Sequence, residues 1–261
     1  MAHFGVIAGS GLYDIPGLMI KETRTVHTPY GNPSAAYRIG TLSGKDIAFL
    51  PRHGIDHTIQ PHNINYRANV WGFKELGVQR LIAVGASGGI SSDMNPGKIA
   101  ALDQLIDVTH GRPSTFYEEG KVVHIDFTEP FCPDLRENIF RASEKAAVDV
   151  ARRGTYICTN GPRLETAAEI KAFSLLGADM VGMTAMPEAV LARELEICFL
   201  FITIITNYAA GLAGSTLTTK EVLNEMERSS ARIKSLLQVF FDQQFAERRC
   251  LCTQALQDAS M

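Results

Sequence analysis

The chain is poor in the features that mark several protein classes. It has only 5 cysteines in 261 residues, an odd number in a long chain, and these do not make a disulfide framework. It lacks an excess of basic charge. With 25 Lys and Arg against 28 Asp and Glu the net charge is −3, so the field with which a dedicated nucleic-acid binder displaces counterions is missing. It has no long apolar stretch: the strongest run, residues 197–205, is far too short to span a bilayer, and residues 1–11 lack the basic start of a signal peptide. Two phosphate-binding fingerprints are also missing. Gly9-Ser10-Gly11 follows an apolar run, but Asp14 stands where a dinucleotide fingerprint needs its third glycine, and no Gly-x-x-x-x-Gly-Lys-Ser/Thr segment occurs. What is present is an ordinary globular composition, 46% hydrophobic and 20% charged, long enough for a large core. The expectation is a soluble cytoplasmic protein with no nucleic-acid or membrane partner.

Short apolar runs alternate with segments of helical period. Residues 4–8, 81–84, 156–159, 180–182 and 198–206 read as strands, and 37–39 with 46–50 as a hairpin about Ser43-Gly44. Helices are expected over 65–76, from Pro133 to Gly154, over 165–176 and 188–195, and from a cap at Thr218 through Val222, Met226, Ile233 and Leu237. The alternation predicts an α/β fold with a mainly parallel sheet covered on both faces. There is no linker, charge block or repeat, so residues 1–245 read as one domain and the polar stretch 246–261 as a tail expected to fray.

Several strand exits carry groups suited to an anion: Ser10 among glycines, Arg52-His53, Ala86-Ser87-Gly88, and Met183-Thr184. In an open α/β sheet such exits form the ligand crevice, and one Arg, one His, hydroxyls and bare backbone make a donor-rich pocket for phosphate. Any one of them is also what a tight turn needs, so the signal lies in their number. His53, His57 and His62 are close in sequence, but Pro51, Gly54 and Pro61 break any helix there and no Cys or carboxylate completes a zinc spacing. His57 and His62 therefore read as satisfied loop histidines, and no metal is expected. Cys132, Cys158 and Cys198 read as core fillers, and Cys250 and Cys252 as exposed tail thiols.

The densest segment runs from Asn160-Gly-Pro-Arg-Leu-Glu-Thr-Ala-Ala-Glu169 through Gly182-Met-Thr184 and Met186-Pro-Glu188 to Ile204-Ile-Thr-Asn207. Gly9-Ser-Gly11, Pro51-Arg-His-Gly54, Asn65-Tyr66, Ala86-Ser-Gly-Gly89 and Glu129-Pro-Phe-Cys-Pro133 precede it in order. This series, covering nearly the whole chain, resembles the trimeric purine nucleoside phosphorylase and methylthioadenosine phosphorylase family. The resemblance implies a single-domain mixed β-sheet flanked by helices and a homotrimer. It also implies reversible phosphorolysis of a purine nucleoside, with inorganic phosphate as co-substrate and no cofactor. By the same likeness Ser10, Arg52, His53, Ala86, Ser87 and Thr184 hold phosphate and Met183 packs beneath the ribose. Glu165 and Asn207 read the base, and Asn207, Glu165 and His53 take part in the chemistry. The physics agrees. Breaking the glycosidic bond puts positive charge on the sugar and negative charge on the base, so an anion beneath the ring and a donor at purine N7 both stabilise the transition state.

Asn207 stands where adenine-cleaving members of the family resemble one another in carrying Asp, and Glu165 where they carry a small hydroxyl residue. A 6-oxopurine offers a carbonyl at C6 and a proton on N1, which match an Asn donor and a Glu acceptor. Adenine would set its N1 lone pair against the carboxylate, a mismatch costing on the order of several kcal/mol. Glu165 is alternatively the acid favoured near the start of the helix after Pro162. At the sugar's 5′ end, Thr219 stands where relatives that cleave ordinary nucleosides look to carry His, and Val222 and Leu223 offer an apolar wall suited to a methylthio group. The segment His124-Ile-Asp-Phe127 resembles a loop that reaches a neighbouring subunit, which puts His124 at that neighbour's pocket. The combination is similar to the S-methyl-5′-thioinosine-cleaving subgroup. Inosine or guanosine and methylthioadenosine remain alternative substrates. A metal-dependent hydrolase using His53, His57 and His62, and a purine-binding protein without turnover, are the readings from other classes.

Overall fold

The computed structural model describes residues 2–9, 12, 15, 17–212 and 219–260 and, Thr219 and Glu221 apart, their side chains. The first half of the chain forms β1 (Phe4–Ala8), β2 (Met19–Arg24), β3 (Tyr37–Leu42), β4 (Lys45–Pro51), α1 (Tyr66–Glu75), β5 (Arg80–Gly89), β6 (Ile99–Ala101) and β7 (Gln104–Asp107). The second half forms α2 (Pro133–Ala146), β8 (Val150–Ala151), β9 (Thr155–Cys158), α3 (Ala167–Leu175), β10 (Met180–Gly182), α4 (Ala185–Glu194), β11 (Cys198–Tyr208) and α5 (Thr219–Asp242).

These strands make one mixed sheet organised by β5. One edge of β5 pairs in parallel with β11 from Arg80 opposite Cys198 to Gly89 opposite Tyr208. The other edge is divided. β1 runs parallel to its first half, ending with Ala8 opposite Val84, and β10 runs antiparallel to its end, with Val181 opposite Gly88. Among the described residues, 85–87 of β5 therefore have no strand partner on that edge, and a cavity opens there.

Local sequence explains most of the elements. Asn65 caps α1 by accepting from Ala68 N–H, and Ser43 and Gly44 take the positive φ values, 50° and 73°, of a two-residue hairpin turn. Residues 198–206 of β11 are all buried, which is why they read as one unbroken apolar run; α2, α4 and α5 pack against that strand. Asn207 and Tyr208 emerge from the core at its end.

The structure departs from expectation at four places. β5 does not stop at Val84 but continues through the glycine run, because there the glycines serve close packing within a strand. A Cβ at Gly85 would lie 2.6 Å from Phe201, and one at Gly89 1.8 Å from the Met94 carbonyl oxygen. α2 ends at Ala147, in the left-handed region at φ 52°, and not at Gly154, so that β8 fits between. α3 starts after Glu165, with Thr166 and Glu169 forming a reciprocal capping box. The sheet is mixed, as the resemblance implies, and its strand pairings are mainly parallel among the described residues: β2–β3, β3–β4, β5–β10 and β6–β11 are antiparallel and the other six pairings parallel. Finally, the tail is docked. Cys250 and Cys252 are buried, Arg248 Nη1 donates to the Glu196 carbonyl at 2.9 Å, and Ser260 bridges to Val123. The polar composition of this segment hides the few side chains that anchor it.

Candidate active site

A cavity of about 320 Å³ occupies the divided edge of β5, a volume suited to a small molecule. It gathers residues from many strand ends: Arg52 and His53 after β4, Ala86 and Ser87 in β5, Glu165 before α3, Met183 and Thr184 after β10, Asn207 in β11 and Val222 in α5. Ser10 and the side chain of Thr219 lie outside the described residues. His124 is not in this cavity. It is exposed on another surface, its N–H bonded to the Ala259 carbonyl at 2.8 Å. Leu223 also points away from any wall, being 55% exposed, so only Val222 of that pair faces the cavity.

Arg52 is buried and held in a two-pronged ion pair. Nε donates to Glu188 Oε1 at 2.6 Å and Nη2 to Oε2 at 2.9 Å, while Nη1 donates to the Val84 carbonyl at 2.9 Å. Burial acts to lower its pKa, but Glu188 more than offsets this and the net shift is upward, so Arg52 stays cationic. One N–H on each Nη remains beyond these bonds.

His53 departs from the expected donor role. Nδ1 lies 2.8 Å from the Ile59 carbonyl oxygen, a partner that can only accept, so Nδ1 carries the proton and Nε2 a lone pair. Burial, then the nearby Arg52 charge, pushes the His53 pKa down to about 4. At neutral pH the ring is an uncharged acceptor at Nε2. The His57 ring lies tilted against it, with centroids 4.4 Å apart, its pKa lowered by burial and Arg52 in the same way. His62 is exposed, and the three histidines form no common ligand group among the described residues. The Ser87 hydroxyl is bonded to the hydroxyl of Thr203 across the β5–β11 pair. Thr184 precedes α4 without capping it with its side chain, and its N–H donates to Tyr156 Oη at 3.3 Å.

Glu165 and Asn207 are fixed by neighbours. Thr159 Oγ1 donates to Glu165 Oε1 at 2.8 Å, and burial raises the pKa of the carboxyl. Because Thr166 caps α3, Glu165 is not engaged as the helix's capping acid. Asn207 sits at a β-bulge, where Ile205 pairs with Ser87 and Asn207 with Gly88, leaving Thr206 as the extra residue. Thr206 Oγ1 lies 2.8 Å from Asn207 Oδ1 and donates to it, while Asn207 Nδ2 donates to the Tyr208 carbonyl at 2.8 Å. The amide is thereby oriented with its oxygen occupied and one N–H still to give.

The sequence profile of the phosphorylase superfamily matches residues 3–242. The chain belongs to that superfamily. Relatives of this phosphorylase-superfamily member include a probable S-methyl-5′-thioinosine phosphorylase of Thermodesulfovibrio yellowstonii, 49% identical over 257 residues that cover 98% of this chain and 96% of the relative. The 6-oxopurine nucleoside phosphorylase of Pyrococcus furiosus is 46% identical over 267 residues, covering 100% of both chains. Among solved structures, methylthioadenosine phosphorylase from Schistosoma mansoni in complex with adenine matches with a TM-score of 0.89 at 31% identity, covering 92% of this chain and 91% of that one. Membership and the mixed α/β fold, both expected from the motifs, are established, and with them the class of enzyme, a pentosyltransferase.

Two residues that shape this phosphorylase site escape sequence reading. Glu188 could have been found: an acid inside the apolar run 185–189 of a buried segment requires a buried cation. Arg112 carries no such signal, since it lies in an irregular loop between β7 and α2. Its Nη1 donates to the carbonyls of Met183 at 2.8 Å and Met186 at 2.7 Å, its Nη2 donates to Asn160 at 2.8 Å, and its guanidinium lies 5.2 Å over the Tyr66 ring. It thus ties the turn after β9 to the turn after β10 and fixes Met183 in the cavity wall. Arg112→Met is expected to lower kcat/KM by roughly 10- to 100-fold through misplacement of that wall. Steady-state kinetics beside a melting curve checks this, since a lowered melting temperature with unchanged kcat/KM would leave Arg112 only a structural role.

Proposed function

We propose that the protein is a 6-oxopurine nucleoside phosphorylase whose preferred reaction converts S-methyl-5′-thioinosine and inorganic phosphate to hypoxanthine and 5-methylthioribose 1-phosphate. The observation that carries this reading is one cavity shared by a cationic, histidine-bearing end and an acceptor–donor pair suited to a 6-oxopurine. Arg52 is bonded at Val84, and the Asn207 side chain lies against Gly88, where a Cβ would be 3.3 Å from Nδ2. Four residues of extended strand separate these points by about 13 Å, enough for a furanose between anion and base.

In this reading phosphate lies near Arg52, Thr184 and the β5 backbone at Ala86, with Ser10 a further expected donor. His53 Nε2 accepts a hydrogen bond from the hydroxyl of monohydrogen phosphate, so the anionic oxygens remain turned to the donors. The C1′–N9 bond breaks as positive charge grows on the sugar. A phosphate oxygen then bonds to C1′, and the proton once on phosphate ends on the purine. Glu165 accepts from N1–H and so orients the base, while Asn207 Nδ2 donates to O6 or N7 and stabilises the negative charge developing there. Met183 lies beneath the ribose, and Val222 gives the 5′ end an apolar neighbour that suits a thioether better than a hydroxyl. We read the assembly as a homotrimer in the cytoplasm, with His124 facing a neighbouring subunit's pocket; the reaction needs no cofactor.

The test is a panel of methylthioinosine, methylthioadenosine, inosine, guanosine and adenosine, each with and without phosphate. Release of hypoxanthine that requires phosphate, fastest from methylthioinosine, is the expected result. Release in water alone, or a preference for adenine nucleosides, overturns the proposal. A pH series adds a sharper check. The raised pKa of Glu165 means that acidification converts it to a neutral O–H donor earlier than an ordinary carboxyl, and that donor suits the N1 lone pair of adenine. The inosine-to-adenosine ratio of kcat/KM is therefore expected to rise with pH through the mildly acidic range. A ratio independent of pH there would remove Glu165 from contact with N1.

A further inference from the structure

The four cysteines that sequence reading divided between core fillers and exposed tail thiols meet at one point. Cys132 precedes α2 as its N-cap residue, Cys198 opens β11, and Cys250 and Cys252 flank the start of the 3₁₀ turn Leu251–Gln254 in the tail. All four are buried, and their Sγ atoms lie within 4.8 Å of one another. Cys198 and Cys250 are the close pair, with sulfurs 3.3 Å apart.

We propose that Cys132, Cys198, Cys250 and Cys252 form a tetrathiolate site for a thiophilic divalent cation of the zinc class, which staples the C-terminal tail to the sheet. Zinc takes four sulfur ligands in a tetrahedron at about 2.3 Å, which sets the sulfurs about 3.8 Å apart. The cluster brackets that spacing, so closure onto an ion asks for adjustments of about 1 Å or less. A disulfide needs sulfurs near 2.05 Å and engages two at a time, whereas here four sulfurs from three separate parts of the chain converge on a common centre. Charge is accommodated as well. The start of the 14-residue helix α2 sits at the cluster, and the positive end of a helix dipole favours thiolate there. On binding, each thiol loses its proton to solvent and its sulfur lone pair bonds to the cation; no oxidant or reductant is involved.

The site lies at the opposite end of β11 from Asn207, nine residues or about 30 Å of extended strand away. Its role is therefore to hold the fold. Cys132 N–H already donates to the Phe199 carbonyl at 2.8 Å, and the tail that carries Cys250 and Cys252 goes on to bond His124 through Ala259. An ion at the cluster would fasten α2, β11 and this tail together.

The decisive experiment is elemental analysis of the full-length protein, purified under reductant and then offered Zn²⁺, together with Co²⁺ as a spectroscopic probe. The expected result is about one zinc per chain, four fewer thiols open to alkylation, and intense thiolate-to-cobalt charge-transfer bands of a tetrahedral sulfur site. Cys158→Ala, outside the cluster, is expected to keep the metal. The double variant C250S/C252S is expected to lose it and to melt at lower temperature. Should that variant not fold, the cobalt spectrum of the unaltered protein still decides. Reduced protein that takes up neither ion, or native protein whose peptides show these cysteines joined in disulfides, overturns the proposal.

Discussion

Replacing Asn207 by Asp is expected to move the enzyme from 6-oxopurine towards 6-aminopurine nucleosides, changing the ratio of their kcat/KM values by roughly 100-fold or more. The expectation follows from which atoms of the amide are already occupied. Thr206 donates to Oδ1, and one N–H of Nδ2 is given to the Tyr208 carbonyl, so what Asn207 presents to the cavity is a donor. In the variant that position becomes a second carboxylate oxygen. It opposes the lone pairs of O6 and, at the same time, those of the Tyr208 carbonyl, and it accepts well from the exocyclic amine of adenine. Two unmatched polar atoms in a closed site cost about 1–3 kcal/mol each, which is the source of the expected ratio. Glu165 limits the gain on the adenine side, because its carboxylate still confronts the N1 lone pair. N207D/E165Q is therefore expected to shift further than N207D alone, since a Gln amide can donate to that lone pair. Competitive assays with inosine and adenosine, in the methylthio and ordinary forms, measure both steps. An unaltered ratio in N207D would mean that the base is read by other groups.

How much of the fold and of the cavity is legible in the sequence, and where the sequence falls silent, has a physical pattern. Residues whose role depends on identity and order could be found: Arg52, Glu165, Met183, Thr184 and Asn207 stand in a dense motif series and do line one cavity. The long strands and amphipathic helices were also visible, because burial on one or both faces leaves a period in the sequence. What remained hidden depends on partners distant in the chain. The protonation of His53 is set by the Ile59 carbonyl and by Arg52, and the direction of the Ser87 hydroxyl by Thr203. β2 is exposed throughout and rich in charge, and β6 and β8 are three and two residues long, so none of them shows an alternation to read. The docking of the tail is hidden for the same reason. Its polar composition is real, but a few buried side chains, two of them cysteines, hold it in place.

Substituting Arg52 is expected to damage phosphate binding and folding together, and a paired substitution separates the two. Arg52→Met leaves Glu188 with no accessible surface and no cation, a situation that costs about 3–5 kcal/mol. For a domain of this size that lowers the melting temperature by roughly 10 °C. R52M/E188M removes both charges and fills both positions with apolar side chains, so most of the lost stability is expected to return. Phosphate affinity is not. A hydrogen bond from a charged donor contributes about 1.5–3 kcal/mol, so KM for phosphate should stay raised by roughly 10- to 100-fold in the single and double variants alike. Glu188→Met alone supplies the converse. There the guanidinium keeps its bond to Val84 but loses its counterion, so phosphate becomes the charge partner available to it. That variant is expected to be unstable in water and to gain more from added phosphate in a melting experiment than the unaltered enzyme does. If instead the double variant both folds and takes phosphate normally, Arg52 serves only to neutralise Glu188, and the anion must be held by Thr184 and the backbone of β5.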